Sequence, residues 1–114
     1  MDEQEAIDAL SALAQQTRLD AFRQLVAAEP EGMAAGDLAR LLDIPQNTLS
    51  AHLAILTRVG LTESRRQSRS IIYRAKLSTV RDLTLFLLKD CCHGRSEICA
   101  PLLAELNPCL DACR

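Results

Sequence analysis

Five thiols crowd the last 24 residues of the chain: Cys91, Cys92, Cys99, Cys109 and Cys113. Thiolates are soft ligands and select soft or thiophilic ions. Cys91 and Cys92 are adjacent, and the six residues between Cys92 and Cys99 let the chain fold back on itself. Three thiolates without a fourth ligand suit a trigonal pyramidal ion with a lone pair, which makes trivalent arsenic or antimony the expected guest. Zn²⁺ normally takes four ligands. His93, Cys109 or Cys113 could supply the fourth, so the donor count leaves Zn²⁺ and Cd²⁺ open. An odd, clustered set of cysteines cannot staple a whole domain. It points to metal or redox chemistry rather than to a disulfide framework.

A second kind of chemistry lies upstream. Gln46, Asn47, Thr48, Ser50 and His52 fall at the start of one predicted helix. Asn and Gln can pair bidentately with adenine, and Ser or Thr can serve base edges or phosphates. Ala51 is small enough to let such a helix lie close to bases. Residues 58–76 then carry Arg58, Arg65, Arg66, Arg69, Arg74 and Lys76 against Glu63 alone, in a chain whose net charge is −2. A basic stripe on an acidic body can still dock to phosphate, because at physiological salt the field is local. Only Tyr73, Phe22 and Phe86 are aromatic, which disfavours stacking on single strands and favours duplex DNA. Arg58, Arg65, Arg66, Arg69 and Arg74 are the expected phosphate or minor-groove contacts.

Hydrophobic spacing predicts the elements that hold these residues. Ile7, Leu10 and Leu13 mark a first helix, and Leu19, Phe22, Leu25 and Val26 a second that ends at Pro30 and Gly32. Asp37–Leu42 reads as a third helix with Leu38, Leu41 and Leu42 inward, and Asp43–Pro45 as a tight connection. Asn47–Val59 reads as a fourth, with Leu49, Leu53 and Leu56 on its buried side and Gly60 as its stop. Leu61–Arg65 and Ser70–Arg74 read as two strands around the turn Arg66–Arg69. Ser78 is the expected N-cap of a last helix from Thr79 to about Cys91. The fold class is therefore mainly α with a two-stranded β-wing, a winged helix-turn-helix whose fourth helix enters the major groove. Leu85–Leu88 is apolar on every side of that last helix, which predicts burial of a second face against a partner subunit.

Length and composition fit one soluble domain: 114 residues, 48% apolar and 25% charged. No apolar run reaches a membrane span. The acidic start, Met1 to Glu5, lacks the basic and apolar regions of a signal peptide, so a cytoplasmic location is expected. We expect residues 1–90 to form the DNA-binding and dimerisation domain and 91–114 a cysteine-rich tail carrying the inducer site.

Leu13-Ala14-Gln15-Gln16-Thr17-Arg18-Leu19, Gly36-Asp37-Leu38-Ala39, Gln46 to Leu53, Val59-Gly60-Leu61 and Tyr73-Arg74, in this order, resemble the ArsR/SmtB family of metal-responsive repressors over about residues 7–90. The resemblance implies a homodimer paired through its first and last helices, an operator in double-stranded DNA, and ligand-induced release. Asp90-Cys91-Cys92-His93-Gly94 with Cys99 resembles the family's arsenite sensors that carry a C-terminal Cys-Cys…Cys site. The family's zinc sensors use His and carboxylate ligands on the last helix, where this chain has Asp82 and Asp90 but no His. At the wing tip, where the family often has Gly, this chain has Ser68. The expected function is an As(III)-responsive repressor. A thiol-redox or Zn/Cd-responsive repressor on the same fold is the alternative. A thiol enzyme is disfavoured, since there are only four glycines and no phosphate-cradling loop.

Overall fold

The structure, a computed structural model, describes residues 1–88 together with Pro101 and Glu105. In chain order the elements are α1 (Glu3–Leu13), α2 (Gln16–Ala27), β1 (Met33–Ala34), α3 (Ala35–Leu42), α4 (Gln46–Arg58), β2 (Thr62–Gln67), β3 (Ser70–Ala75) and α5 (Leu77–Leu88). Met1–Leu83 form one compact unit, and a second begins at Thr84, inside α5. The three strands make one antiparallel sheet in the order β1-β3-β2.

Leucines dominate the core. Leu49, Leu53 and Leu56 of α4 are completely buried, and so are Leu25, Leu38 and Leu61. Spacings of three and four residues put the α4 leucines on one face. Burying each side chain stabilises the fold by about 1.5–3 kcal/mol. This inner face seats α4 against α2, α3 and β2 and leaves its outer face to solvent.

Two helices turn differently from expectation. In α1 the buried residues are Ala6, Ala9 and Ala12, while Ile7 and Leu10 remain 48% and 42% exposed. Small side chains let α1 lie close to α2 and α4, and the larger apolar ones are left outside. In α3, Leu41 points outward at 55% exposure, and Ala39 takes the inward place beside Leu38. α3 also begins at Ala35, two residues before the expected start.

The links between helices are fixed by backbone geometry. Asp43 adopts the left-handed conformation, with φ 56°. There its N–H reaches the Arg40 carbonyl at 3.2 Å and that of Ile44 reaches Ala39 at 3.1 Å, closing the turn of the helix-turn-helix. At the end of α4, Gly60 has φ 83°. Its N–H bonds the Thr57 carbonyl and that of Leu61 bonds Leu56, both at 3.0 Å. This paired arrangement satisfies carbonyls that the helix end leaves open. The chain then returns: the Lys76 N–H bonds the Leu61 carbonyl at 2.9 Å, and the Thr79 hydroxyl donates to the Gly60 carbonyl at 2.5 Å. Thr79 thus ties the start of α5 to the end of α4. α5 begins at Leu77, so Ser78 lies in its first turn rather than capping it. Its expected end near Cys91 falls outside the described residues.

The wing is longer and its turn tighter than the sequence predicts. β2 and β3 pair from Thr62↔Ala75 to Gln67↔Ser70, leaving Ser68 and Arg69 as a two-residue loop. Such loops favour positive φ because it matches the twist of the strands. Ser68 supplies it with φ 59°, where glycine would be less strained. β1, unforeseen from the sequence, adds Met33↔Tyr73 and Ala34↔Ile72 to the other edge of β3.

Gly32, just before β1, has φ 79°, and a Cβ there would lie 2.5 Å from the Tyr73 carbonyl oxygen. At Gly60 a Cβ would meet nothing closer than Thr79 Oγ1 at 3.7 Å. Gly60→Ala should therefore cost only the left-handed conformation, about 1–2 kcal/mol. Gly32→Ala should cost clearly more, because backbone must also move. Urea unfolding of both variants checks the order, and an equal destabilisation would contradict the clash.

Candidate nucleic-acid interface

α4 begins after Pro45, which presets an extended entry but offers no side-chain cap. Gln46, Asn47, Thr48 and Ser50 are all exposed in the first two turns. Asn47 Oδ1 accepts from the Thr48 N–H at 3.0 Å, so its carboxamide is partly engaged in holding its own turn. Ala51 and Ala54 continue the exposed face without bulk. This surface can approach a groove closely and present amide and hydroxyl groups to it.

His52 belongs to a different flank. It is half-buried, and Nδ1 lies 3.3 Å from Arg18 Nη1. A guanidinium only donates, so this contact uses Nδ1 as an acceptor. Arg18 itself is fixed at the start of α2. Its Nε donates to the Ala12 carbonyl at 2.6 Å, and its backbone N–H donates to Gln15 Oε1 at 2.8 Å. His52 therefore braces α4 against the α1–α2 corner as well as standing near the reading face.

The wing arginines divide by position. Residues opposite one another in an antiparallel ladder share a face. Arg66 pairs with Ile71, two residues along from Ser64↔Tyr73 and so on the same face. Ile71 and Tyr73 line a groove with Gln46, Ser50 and Arg69, so Arg66 lies on the wing face that looks toward α4. Arg65 pairs with Ile72 and shares the other face with Glu63 and Arg74. Arg69 sits in the tip loop. Arg58 is exposed at the far end of α4, about 18 Å along the helix from Gln46. There it lines a groove of about 810 Å³ with Glu5, Asp8, Arg18 and Asp82 among others.

Arg74 is the cation most fully engaged. Its Nη2 donates to Glu29 Oε2 at 3.0 Å, and Nη1 lies 3.9 Å from Glu63 Oε1. The hydrogen bond to Glu29, and then the Glu29 charge, raise the guanidinium pKa above its ordinary value. Glu29 Oε1 and Arg74 Nε are both buried without a partner. The pair joins the α2–β1 connection to β3, across 45 residues of sequence. The structure thus places Arg74 as an internal tie of the wing, where a sequence count makes it one more phosphate ligand.

The expected thiolate ligands, Cys91, Cys92 and Cys99, lie outside the described residues, as do His93, Cys109 and Cys113. Among the described residues no three His, Cys, Asp or Glu side chains gather to hold an ion, and no helix is long and apolar enough to cross a membrane. One residue near the interface escaped sequence reasoning. Arg40 of α3 lines the same groove as Gln46, Ser50 and Arg69. Its signal, a lone arginine between leucines, does not stand out without the neighbouring helix.

Known proteins share this arrangement. Residues 13–65 match the family model described as a helix-turn-helix domain. The chain is 30% identical over 89 residues to the transcriptional activator HlyU of Vibrio cholerae, covering 78% of this chain and 80% of that one. The solved homodimeric winged helix-turn-helix domain of Mb0332 from Mycobacterium bovis, a possible ArsR-family regulator, superposes with TM-score 0.63 at 25% identity, over 79% of this chain and 82% of that one. The transcriptional repressor BigR from Xylella fastidiosa superposes with TM-score 0.58 at 30% identity, over 75% and 86%.

The division of the wing arginines can be measured as salt dependence of binding to duplex DNA. Removing one side chain that neutralises a phosphate should lower the slope of log K against log salt by about 0.9. Arg69→Ala should show that decrease while leaving the melting temperature near its original value. Arg74→Ala should lower the melting temperature and leave the slope unchanged. Interchanged results would place Arg74, not Arg69, on phosphate.

Proposed function

Because the chain belongs to the ArsR family of winged helix-turn-helix transcriptional regulators, we propose that it is a repressor released from operator DNA by trivalent arsenic. The observation that carries the DNA half is the exposed start of α4, with Gln46, Asn47, Thr48 and Ser50, beside a wing carrying Arg66 and Arg69. His52 flanks α4 beside that surface, and Arg65 stands on the opposite face of the wing. Arg58 lies at the far end of α4, and Arg74 ties the wing to the α2–β1 connection.

The metalloid half rests on sequence chemistry. Every cysteine of the chain follows α5, and Cys91 comes three residues after the last described residue of that helix, Leu88. Three thiolates match As(III), and Sb(III) or a methylated arsenical would use the same donors. A ligand that draws Cys99 to Cys91 and Cys92 acts on the chain that follows the described part of α5 in sequence, and the start of α5 is bonded to the end of α4 through Thr79 and Gly60. A near-complete switch from bound to free needs a coupling of about 5 kcal/mol.

A homodimer supplies two readers for two half-sites. Ile7 and Leu10 on α1, and Leu85 and Leu87 on α5, leave large apolar surface exposed in the single chain. This supports pairing through the first and last helices, and the similar Mycobacterium bovis domain is homodimeric.

Fluorescence anisotropy decides the reading, using an operator-length duplex taken from upstream of the protein's own gene. Arsenite should release the DNA, and Cys91→Ser and Cys92→Ser should each weaken that response at least tenfold without weakening DNA binding. Cys99→Ser should do the same for arsenite and less for a monomethyl arsenical, which two thiolates can hold. Normal arsenite release from Cys92→Ser would remove the proposed site. Release by peroxide, or by zinc or cadmium, with arsenite inert would keep the repressor and replace its signal.

A further inference from the structure

α3 is the helix that sequence reasoning left without a function beyond packing. Its inner face, Leu38 and Ala39, is buried. Its outer face carries Arg40, bonded to Asp37 one turn earlier. Both side chains are largely exposed, at 75% and 59%. An exposed i,i+3 ion pair contributes little to stability, so this pair is not what holds α3 in place.

The surroundings of Arg40 are those of a reader. A groove of about 380 Å³ lies where α3, α4 and the wing meet, with Arg40, Gln46, Ser50 and Arg69 among its walls. Gly36 leaves an opening between two of them. A Cβ on Gly36 would stand 3.5 Å from Gln46 Oε1 and 3.7 Å from Arg40 Nη1. The guanidinium and the carboxamide oxygen thus both lie close over Gly36 at the edge of that groove. In a helix-turn-helix the first helix crosses the DNA backbone while the second reads bases. A guanidinium matches a phosphate as it matches a carboxylate, through a planar fork of donors. The Asp37 carboxylate therefore offers Arg40 the same chemistry that a backbone phosphate would.

We propose that Arg40 is a phosphate-binding residue of the DNA interface, and that Asp37 holds it as an internal competitor which DNA displaces. The inference rests on the DNA-binding reading above. The competition is blind to sequence: it weakens binding to every duplex alike, so that stable binding needs the base contacts of α4 in addition.

The test is anisotropy over a salt series, with the upstream duplex and an unrelated duplex of equal length, on the full chain. Arg40→Ala should weaken both about tenfold and lower the salt slope by about 0.9 for each Arg40 engaged. Arg40→Lys should keep the slope, since charge sets it. Asp37→Asn should tighten both duplexes several-fold, and that gain should vanish in the Arg40→Ala background. An unchanged slope in Arg40→Ala would overturn the proposal. So would an Asp37→Asn gain that survives without Arg40, because Asp37 would then be repelling DNA generally. Should Arg40→Ala prove poorly folded by circular dichroism, Arg40→Lys and Asp37→Asn carry the test: a reduced slope in the first or no gain in the second overturns it. Failure of the wild type to bind either duplex would remove the DNA-binding reading itself, whereas normal wild-type binding with an unaffected Arg40→Ala removes only this inference.

Discussion

One helix has to serve as both core and reader, and the rest of the fold follows from that constraint. Leu49, Leu53 and Leu56 give α4 a fully buried inner face. A face so fully inserted fixes the rotation of the helix about its own axis, because a turn of one residue would bring an exposed polar group into the leucine cluster. The outward direction of Gln46, Asn47 and Ser50 is therefore a by-product of packing. The α1–α2 corner touches it through the Arg18–His52 contact, α3 closes the tight turn at Asp43, and the wing rises from the Gly60 cap. Each holds a different side of the same cylinder.

The charge that a sequence displays is not the charge a surface offers. Arg74 belongs to the basic run of residues 58–76, yet Glu29 and Glu63 occupy it. Arg18 is spent on the Ala12 carbonyl and His52. Arg65 and Arg66 are neighbours in sequence and stand on opposite faces of the ribbon, since strand side chains alternate. The positive charge beside the start of α4 is thus narrower than the composition implies, and it centres on Arg66 and Arg69.

Much of this was legible beforehand. The leucine spacing of α4, the stop at Gly60 and the β-branched and aromatic run Ile71-Ile72-Tyr73 located the fourth helix and the wing within a few residues, because each signal is local. What escaped depends on distance. Glu29 and Arg74 meet across 45 residues, and no spacing rule links them. β1 is two residues long, too short for alternation to register. The extra residues of β2, Arg66 and Gln67, were hidden because the polar run Arg66–Arg69 reads as a turn until pairing with Ile71 and Ser70 draws its first half into the strand. The apolar residues of α1 announced a helix but not its orientation, since alanine, which carries the contact, is a weak signal of burial. The expected cysteine ligands rest on sequence chemistry alone, and they lie outside the described residues.

The stitch between Thr79 and Gly60 anchors the C-terminal end of α4 by hydrogen bonds to the start of α5. The N-terminal end of the helix is held by packing alone, against α3 and through Leu49. Its C-terminal end is bonded, through the Gly60 carbonyl and the Leu61–Lys76 bond, to the chain entering α5. Its N-terminal end follows Pro45 with no side-chain cap. A helix of 13 residues is about 20 Å long. Pivoted at Gly60, a tilt of about 5° carries Gln46 through about 1.7 Å, more than a hydrogen bond tolerates. Any tilt of α4 about Gly60 is therefore largest at Gln46, the end farthest from the bonds that tie the helix to α5.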